Sequence, residues 1–107
     1  MVRNITKNTI LSQNVRKALS FKDNAFGMID GKNGSGLIIS THFGIHTFFM
    51  KFPIDVIVLD KNKKVQKLKT VKPWQIFVWN PKFSVVIELP NGIIRKTKTE
   101  VGDRLDF

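Results

Sequence analysis

Two carboxylates sit inside apolar runs of this sequence, Asp55 in Pro53-Ile54-Asp55-Val56-Ile57-Val58 and Glu88 in Val85-Val86-Ile87-Glu88-Leu89. A carboxylate so placed must find donors, pair with a cation or serve something outside the chain, because a buried unpaired charge is costly. If residues 47–59 run as one extended segment, alternation puts Lys51 and Asp55 on the same side with backbones roughly 13 Å apart, too far for a direct ion pair. That arrangement predicts a polar pocket for a small ligand or water network, lined by His46, Lys51, Asp55 and Glu88. The plainer and favoured expectation has Pro53 at an edge or bulge, Lys51 reaching solvent and Asp55 accepting backbone N–H groups of a neighbouring turn. Glu88 could meet Asp55 or Lys51 across a sheet, and two close carboxylates would divide into an acid and a base, as glycoside hydrolysis requires. An ordinary salt bridge or a solvated strand face is the simpler alternative. His46 could carry a proton, although a lone His beside an aromatic strand is more often structural.

The second constellation is cationic and aromatic. Lys61, Lys63, Lys64, Lys67, Lys69 and Lys72 occur with no acidic residue between 61 and 72, and Trp74, Phe77, Trp79 and Phe83 follow, with Lys82 among them. Basic charge beside stackable rings suits single-stranded nucleic acid. Alternation places Trp74, Ile76 and Val78 on one face and Phe77 and Trp79 on the other; a strand buried on both faces, with Lys on exposed turns, is the favoured expectation.

Several chemistries are excluded. Cysteine is absent, which removes disulfides, thiolate metal sites and cysteine nucleophiles. His42 and His46 are spaced for one helical face, but Phe43-Gly44-Ile45 argues for extended chain, so no metal is predicted. No phosphate loop, dinucleotide fingerprint or serine-hydrolase elbow occurs, Gly31-Lys32-Asn33-Gly34-Ser35-Gly36 reads as a flexible connection, and no cofactor is implied.

The elements that must hold these residues are strands. The 107 residues suit a single β-rich domain, 1–107, without repeats or composition breaks. Segments 37–40, 47–52, 55–59, 75–79 and 84–89 are short, β-branched or aromatic, and bounded by Gly, Pro, Asn or Asp. Asp60-Lys61-Asn62-Lys63-Lys64 predicts a hairpin connection, and Val101-Gly102-Asp103-Arg104 a tight turn into a last strand, 104–107. Helix signals are confined to a capping-box-like Ser20…Asp23 before Ala25-Phe26, and a short turn after Asn91 or Gly92. The fold class is mainly β, a small sandwich or barrel-like domain with one or two short helices. Net charge is +10 and the isoelectric point about 10.2, which favours an anionic ligand or nucleic acid but equally a lysine-rich soluble surface. No apolar run is long enough for a leader or a membrane span, so a cytoplasmic location is expected. Oligomeric state is open.

His46 to Val65, HTFFMKFPIDVIVLDKNKKV, resembles the central signature of the domain of unknown function 192 family. VIELPNG (86–92) and VGDRL (101–105) are similar to its C-terminal pattern, and ALSF…GMI is a weaker match to its helical segment. The resemblance spans residues 17–107 and implies a compact β-sandwich or barrel-like fold with one short helix and no known reaction or cofactor, while the Gly102-Asp103 turn resembles the Gly-Asp box of several small β-barrels, where it is structural. The family's Arg and paired Leu are replaced here by Asn24 and Phe26-Gly27-Met28-Ile29. The leading functional expectation is a noncatalytic binding or accessory module. Its rivals are an enzyme using Asp55, Glu88 or His46 on a small or carbohydrate-like substrate, and single-strand binding through the Lys-rich aromatic segment.

Overall fold

The structure, a computed structural model, describes residues 1–18, 35–42, 44–48 and 50–107. Its centre is β6 (Ile54–Leu59), in which all six residues are buried. An unbroken apolar run can only be satisfied with cover on both faces. Strand β6 pairs antiparallel with β7 (Val65–Val71) on one side and β9 (Val85–Pro90) on the other; β9 pairs with β4 (Ser35–Ser40), and β3 (Asn14–Ala18) lies parallel to β4 at the far edge.

Each face of this five-stranded sheet carries its own apolar cluster. On the first, Ile54, Val56 and Val58 join Leu37, Ile39 and Val86. A two-stranded ribbon of β5 (Gly44–His46) and β8 (Ile76–Val78) covers them, inserting Ile45 and Phe77, with Trp79 beyond. On the second face, Ile57, Leu59, Ile87 and Leu89 meet Val2, Leu11 and Leu105. Those three come from a small sheet ordered β10 (Leu105–Asp106), β1 (Val2–Asn4), β2 (Thr9–Ser12). The short helix α1 (Ile93–Thr97) adds Ile93 and Ile94 to this layer.

The mainly β class, the 60–64 hairpin and the short helix after Gly92 match expectation. The sheets are layered and do not close, so the barrel-like alternative is corrected to a sandwich of separate sheets. The expected strand at 47–52 is also corrected for its described residues, because β5 ends at His46 and none of 47, 48 and 50–52 lies in a strand. Thr47 is fully buried and ends it: its hydroxyl donates to the Lys72 carbonyl (2.6 Å) and accepts from the Gln75 amide (2.9 Å), while its carbonyl accepts from Met50 and Trp74. These bonds turn the chain out of the ladder. Strands β1 to β3 were not expected, since Val2-Arg3-Asn4 and Asn14-Val15-Arg16-Lys17 show little apolar patterning. The helix expected after Ser20 lies outside the described residues, whereas Ser35 and Gly36, read as loop, belong to β4.

The Gly102-Asp103 turn is structural, as the resemblance implied. Gly102 takes φ 97, and the nearly buried Asp103 carboxylate accepts from Asn4 Nδ2 (2.9 Å), Lys7 Nζ (2.9 Å) and the Glu100 amide (3.0 Å), joining β1 to the C-terminal turn. Burial opposes ionisation of Asp103, but hydrogen bonds from Asn4, Lys7 and the Glu100 amide outweigh it and hold its pKa below the ordinary value. Asp103→Ala leaves those donors without their acceptor and is expected to lower stability by roughly 2–4 kcal/mol, read from a shifted urea midpoint.

Candidate functional site

Asp55 is fully buried on the second face of the sheet, and its carboxylate is used by the protein itself. Oδ1 accepts from the Thr70 hydroxyl (2.7 Å), while Oδ2 accepts from the backbone amides of Gly92 (3.1 Å) and Ile94 (2.8 Å). The helix N-cap, Gly92, has no side chain to accept its amides, and Asp55 supplies the missing acceptor from a neighbouring strand. The expectation that Asp55 accepts backbone N–H groups of a nearby turn is therefore met geometrically, with the start of α1 as that turn.

Glu88 occupies the other face. Register pairs Asp55 with Leu89, and Glu88 with Val56 and Leu37. Strand alternation therefore sends the two carboxylates to opposite sides of the sheet. The proposed acid–base pairing of Asp55 with Glu88 is corrected on this ground. Glu88 is 1% exposed, points into the layer of Leu37, Val56, Phe77 and Trp79, and its Oε2 has no hydrogen-bond partner among the described residues. Desolvation pushes its pKa from 4.5 up to about 8, so the group is mostly a neutral acid at pH 7.

Lys51 and His46 are not brought to either carboxylate. Lys51 is exposed in the irregular segment after Thr47, so it does not share an extended face with Asp55. His46 lies on the outer face of the ribbon, its Nδ1 accepting from the Phe48 amide at 3.3 Å. Its ring is 4.7 Å from that of Phe48, which in turn stacks on Trp74 at 5.9 Å with 26° between planes. His42 is held elsewhere, with Nδ1 at 2.8 Å from the Pro81 carbonyl oxygen. Among the described residues no group of three His, Cys, Asp or Glu side chains could hold a metal ion.

The Lys-rich aromatic segment divides by face. Phe77 and Trp79 point inward, and Trp79 Nε1 donates to the Phe83 carbonyl (2.8 Å), so Trp79 is not a surface stacking group. Trp74, Ile76 and Val78 are 59%, 66% and 57% exposed, which corrects the expectation of a strand buried on both faces. Cross-strand pairing places His46 beside Ile76 and Gly44 beside Val78, so one apolar and aromatic outer face runs along the ribbon and on to Phe48 and Trp74. Trp74 holds φ 61, a left-handed conformation unfavourable for a bulky residue, and its backbone N–H donates a hydrogen bond to the Thr47 carbonyl (3.0 Å).

Lysines rim this face unevenly. Lys67 Nζ donates to the Val78 carbonyl (2.7 Å) and lies 5.0 Å from the Phe77 ring centre. Lys63 is turned away, donating to the Phe107 carbonyl (2.7 Å), and Lys64 bridges to Arg104 through its backbone. Lys69 and Lys72 are exposed along and just beyond edge strand β7, and Lys61 and Lys82 stand at a separate cleft. Sequence reasoning missed Phe48 as part of the stack and Thr47 as the residue that positions it. The apolar alternation of 74–79 was visible, but not which side would be exposed.

Fold and geometry together define a class: a small layered β domain whose carboxylates Asp55 and Glu88 stand on opposite sheet faces and whose exposed Trp74 stacks on Phe48 beside one outer ribbon. The chain belongs to the DUF192 family, described as "Uncharacterized ACR", whose profile matches residues 2–107. It is 35% identical over 113 residues to a UPF0127 protein of Pyrococcus horikoshii, covering 100% of this chain and 98% of that one. To a UPF0127 protein of Pyrococcus furiosus it is 34% identical over 110 residues, covering 97% and 95%. Among solved structures, a protein of unknown function from Novosphingobium aromaticivorans superposes with a TM-score of 0.70 at 14% identity, over 87% of this chain and 74% of that one. That likeness supports the fold alone.

Two stability measurements test the assigned carboxylates. Asp55→Ala removes the acceptor of three donors and is expected to lower stability by roughly 3 kcal/mol, seen as a reduced denaturant midpoint. For Glu88, a folded-state pKa of about 8 against 4.5 means that the folded state holds the extra proton between those values. The stability it contributes is fully present below pH 4.5 and is lost as pH rises to about 8, at up to about 1.4 kcal/mol per pH unit. Glu88→Gln, neutral throughout, should lack this fall, so that the variant's melting temperature gains on the parent's as pH is raised from 5 to about 8.

Proposed function

We infer that this protein is a noncatalytic binding module for polyanions, with single-stranded nucleic acid as the class that fits its outer ribbon. The observation that carries this reading is the exposed Trp74 ring stacked on Phe48, beside the bare Ile76 and Val78 and rimmed by Lys67, Lys69 and Lys72. The exposed Trp74 ring, with half-buried Phe48 stacked against it, offers a plane on which a base can stack, and every base has such a plane. The net charge of +10 supplies long-range attraction for a phosphate chain.

Charge also argues against the ribbon being an interface between two copies, since each copy would bring the same +10. The acid–base enzyme is less well supported. Asp55 already accepts three hydrogen bonds, Glu88 faces the other layer, and neither His46 nor Lys51 approaches them. No helix among the described residues is long and apolar enough to cross a membrane.

Retention on an immobilised single-stranded oligonucleotide across a salt series tests the reading. Binding should weaken steeply, with log affinity falling against log salt by about 0.7 for each phosphate engaged. Trp74→Ala should weaken binding at fixed salt by roughly 1–3 kcal/mol, the worth of one stacked base, with the melting temperature little changed. Absence of binding at low salt, or binding indifferent to Trp74→Ala, overturns the assignment to this surface. Equal binding to anionic lipid vesicles with no oligonucleotide binding overturns the choice of nucleic acid.

A further inference from the structure

A cleft of about 420 Å³ lies at the opposite end of β7 from Trp74, lined by Asp60, Lys61, Asn62, Gln66, Lys82 and Phe83. The geometry points to this cleft as a subsite for one nucleotide of the bound strand, and the inference rests on the single-strand reading above. Both walls are tight turns closed by their own side chains. In one, Asp60 Oδ1 accepts from the amides of Asn62 (2.8 Å) and Lys64 (3.0 Å), and Oδ2 accepts from Gln66 Nε2 (2.8 Å). In the other, Asn80 Oδ1 accepts from the Lys82 amide (2.9 Å), and the Asn80 carbonyl accepts from the Phe83 amide (3.0 Å). Such side-chain-closed turns hold their shape without a ligand.

Lys61 and Lys82 line the cleft, each carried by one of the two walls, and no described residue bonds to either amine. Half-buried Phe83 supplies an apolar surface anchored against the first core cluster. The Asn62 amide adds donors and an acceptor beside it. Two cations for a phosphate, an aromatic side chain for a base and an amide for a base edge are the groups that recognise an unpaired nucleotide. Asp60 is the one anion among the described lining residues, and three hydrogen bonds already draw on its charge.

Position connects this cleft to the aromatic stack. Gln66 lines the cleft and Lys72 follows the end of β7 beside Trp74, so the strand spans roughly 20 Å between them. Lys67 and Lys69 lie on the way, exposed along β7 opposite Val58 and Val56, with Lys67 Nζ donating to the Val78 carbonyl at the ribbon's edge. A single strand of a few nucleotides can therefore run along this edge, with its bases on the rings at one end and a terminal nucleotide in the cleft at the other.

The test compares the double variant Lys61→Ala/Lys82→Ala with Lys96→Ala/Lys98→Ala, which removes the same charge around α1 on the other face. Both are measured with an oligonucleotide of about six nucleotides and with a nucleoside 5′-monophosphate, by fluorescence titration and amide chemical-shift mapping. The cleft variant should lose about tenfold or more in oligonucleotide affinity and its mononucleotide shifts near Phe83, while the control changes by about twofold or less. Trp74→Ala should weaken the oligonucleotide yet leave the mononucleotide shifts in place. If the cleft variant behaves like the control while Trp74→Ala still weakens the oligonucleotide, the subsite is overturned and the ribbon reading stands. If the unmodified protein binds no oligonucleotide at low salt, both are overturned.

Discussion

The carboxylate of Asp55 is the interaction on which this architecture turns. Strand β6 is buried on both faces, so any charge within it must be answered inside the protein. The answer is the first turn of α1, whose amides lack a side-chain cap of their own and are met by Oδ2. One contact thus solves two problems, the burial of an anion and the unsatisfied start of a helix. It also fixes the helix against the second face of the sheet, where Ile93 and Ile94 extend the apolar cluster.

Glu88 shows what happens when the same chemistry meets the other face. It is as deeply buried as Asp55, but the cluster on that face is built from Leu, Val, Ile, Phe and Trp side chains, and its Oε2 has no hydrogen-bond partner among the described residues. Burial then shifts the proton balance, and the side chain is held mostly neutral at pH 7. Two acidic residues that look alike in their apolar runs end in opposite states because strand register sends them to different layers.

The outer ribbon follows from the way the first face is covered. The two short strands contribute Ile45 and Phe77 to that cover, beside Met50 and Trp79. Of their outward residues, Ile76 and Val78 are exposed, as is Trp74 just before β8. Thr47, fully buried at the end of β5, receives and donates the bonds that turn the chain and hold the Trp74 backbone in a left-handed conformation. An exposed apolar strip bounded by lysines on a protein of charge +10 is the basis of the proposed polyanion surface.

Much of this was legible beforehand where the signal is local. The alternation of 74–79, the polar break at 60–64, the Gly-Asp turn and the two-sided apolar run of β6 each announce their structure through neighbouring residues alone, and composition by itself removed cysteine chemistry and established the positive charge. Strands β1 to β3 escaped notice because they are short and carry few apolar residues, and their places are set by partners far along the chain. Which face each carboxylate joins, whether a donor awaits it there, and which side of β8 is exposed were decided only by tertiary structure. Those are properties of register and layering between segments distant in sequence, and alternation within one strand specifies that two faces exist without saying what will lie against either.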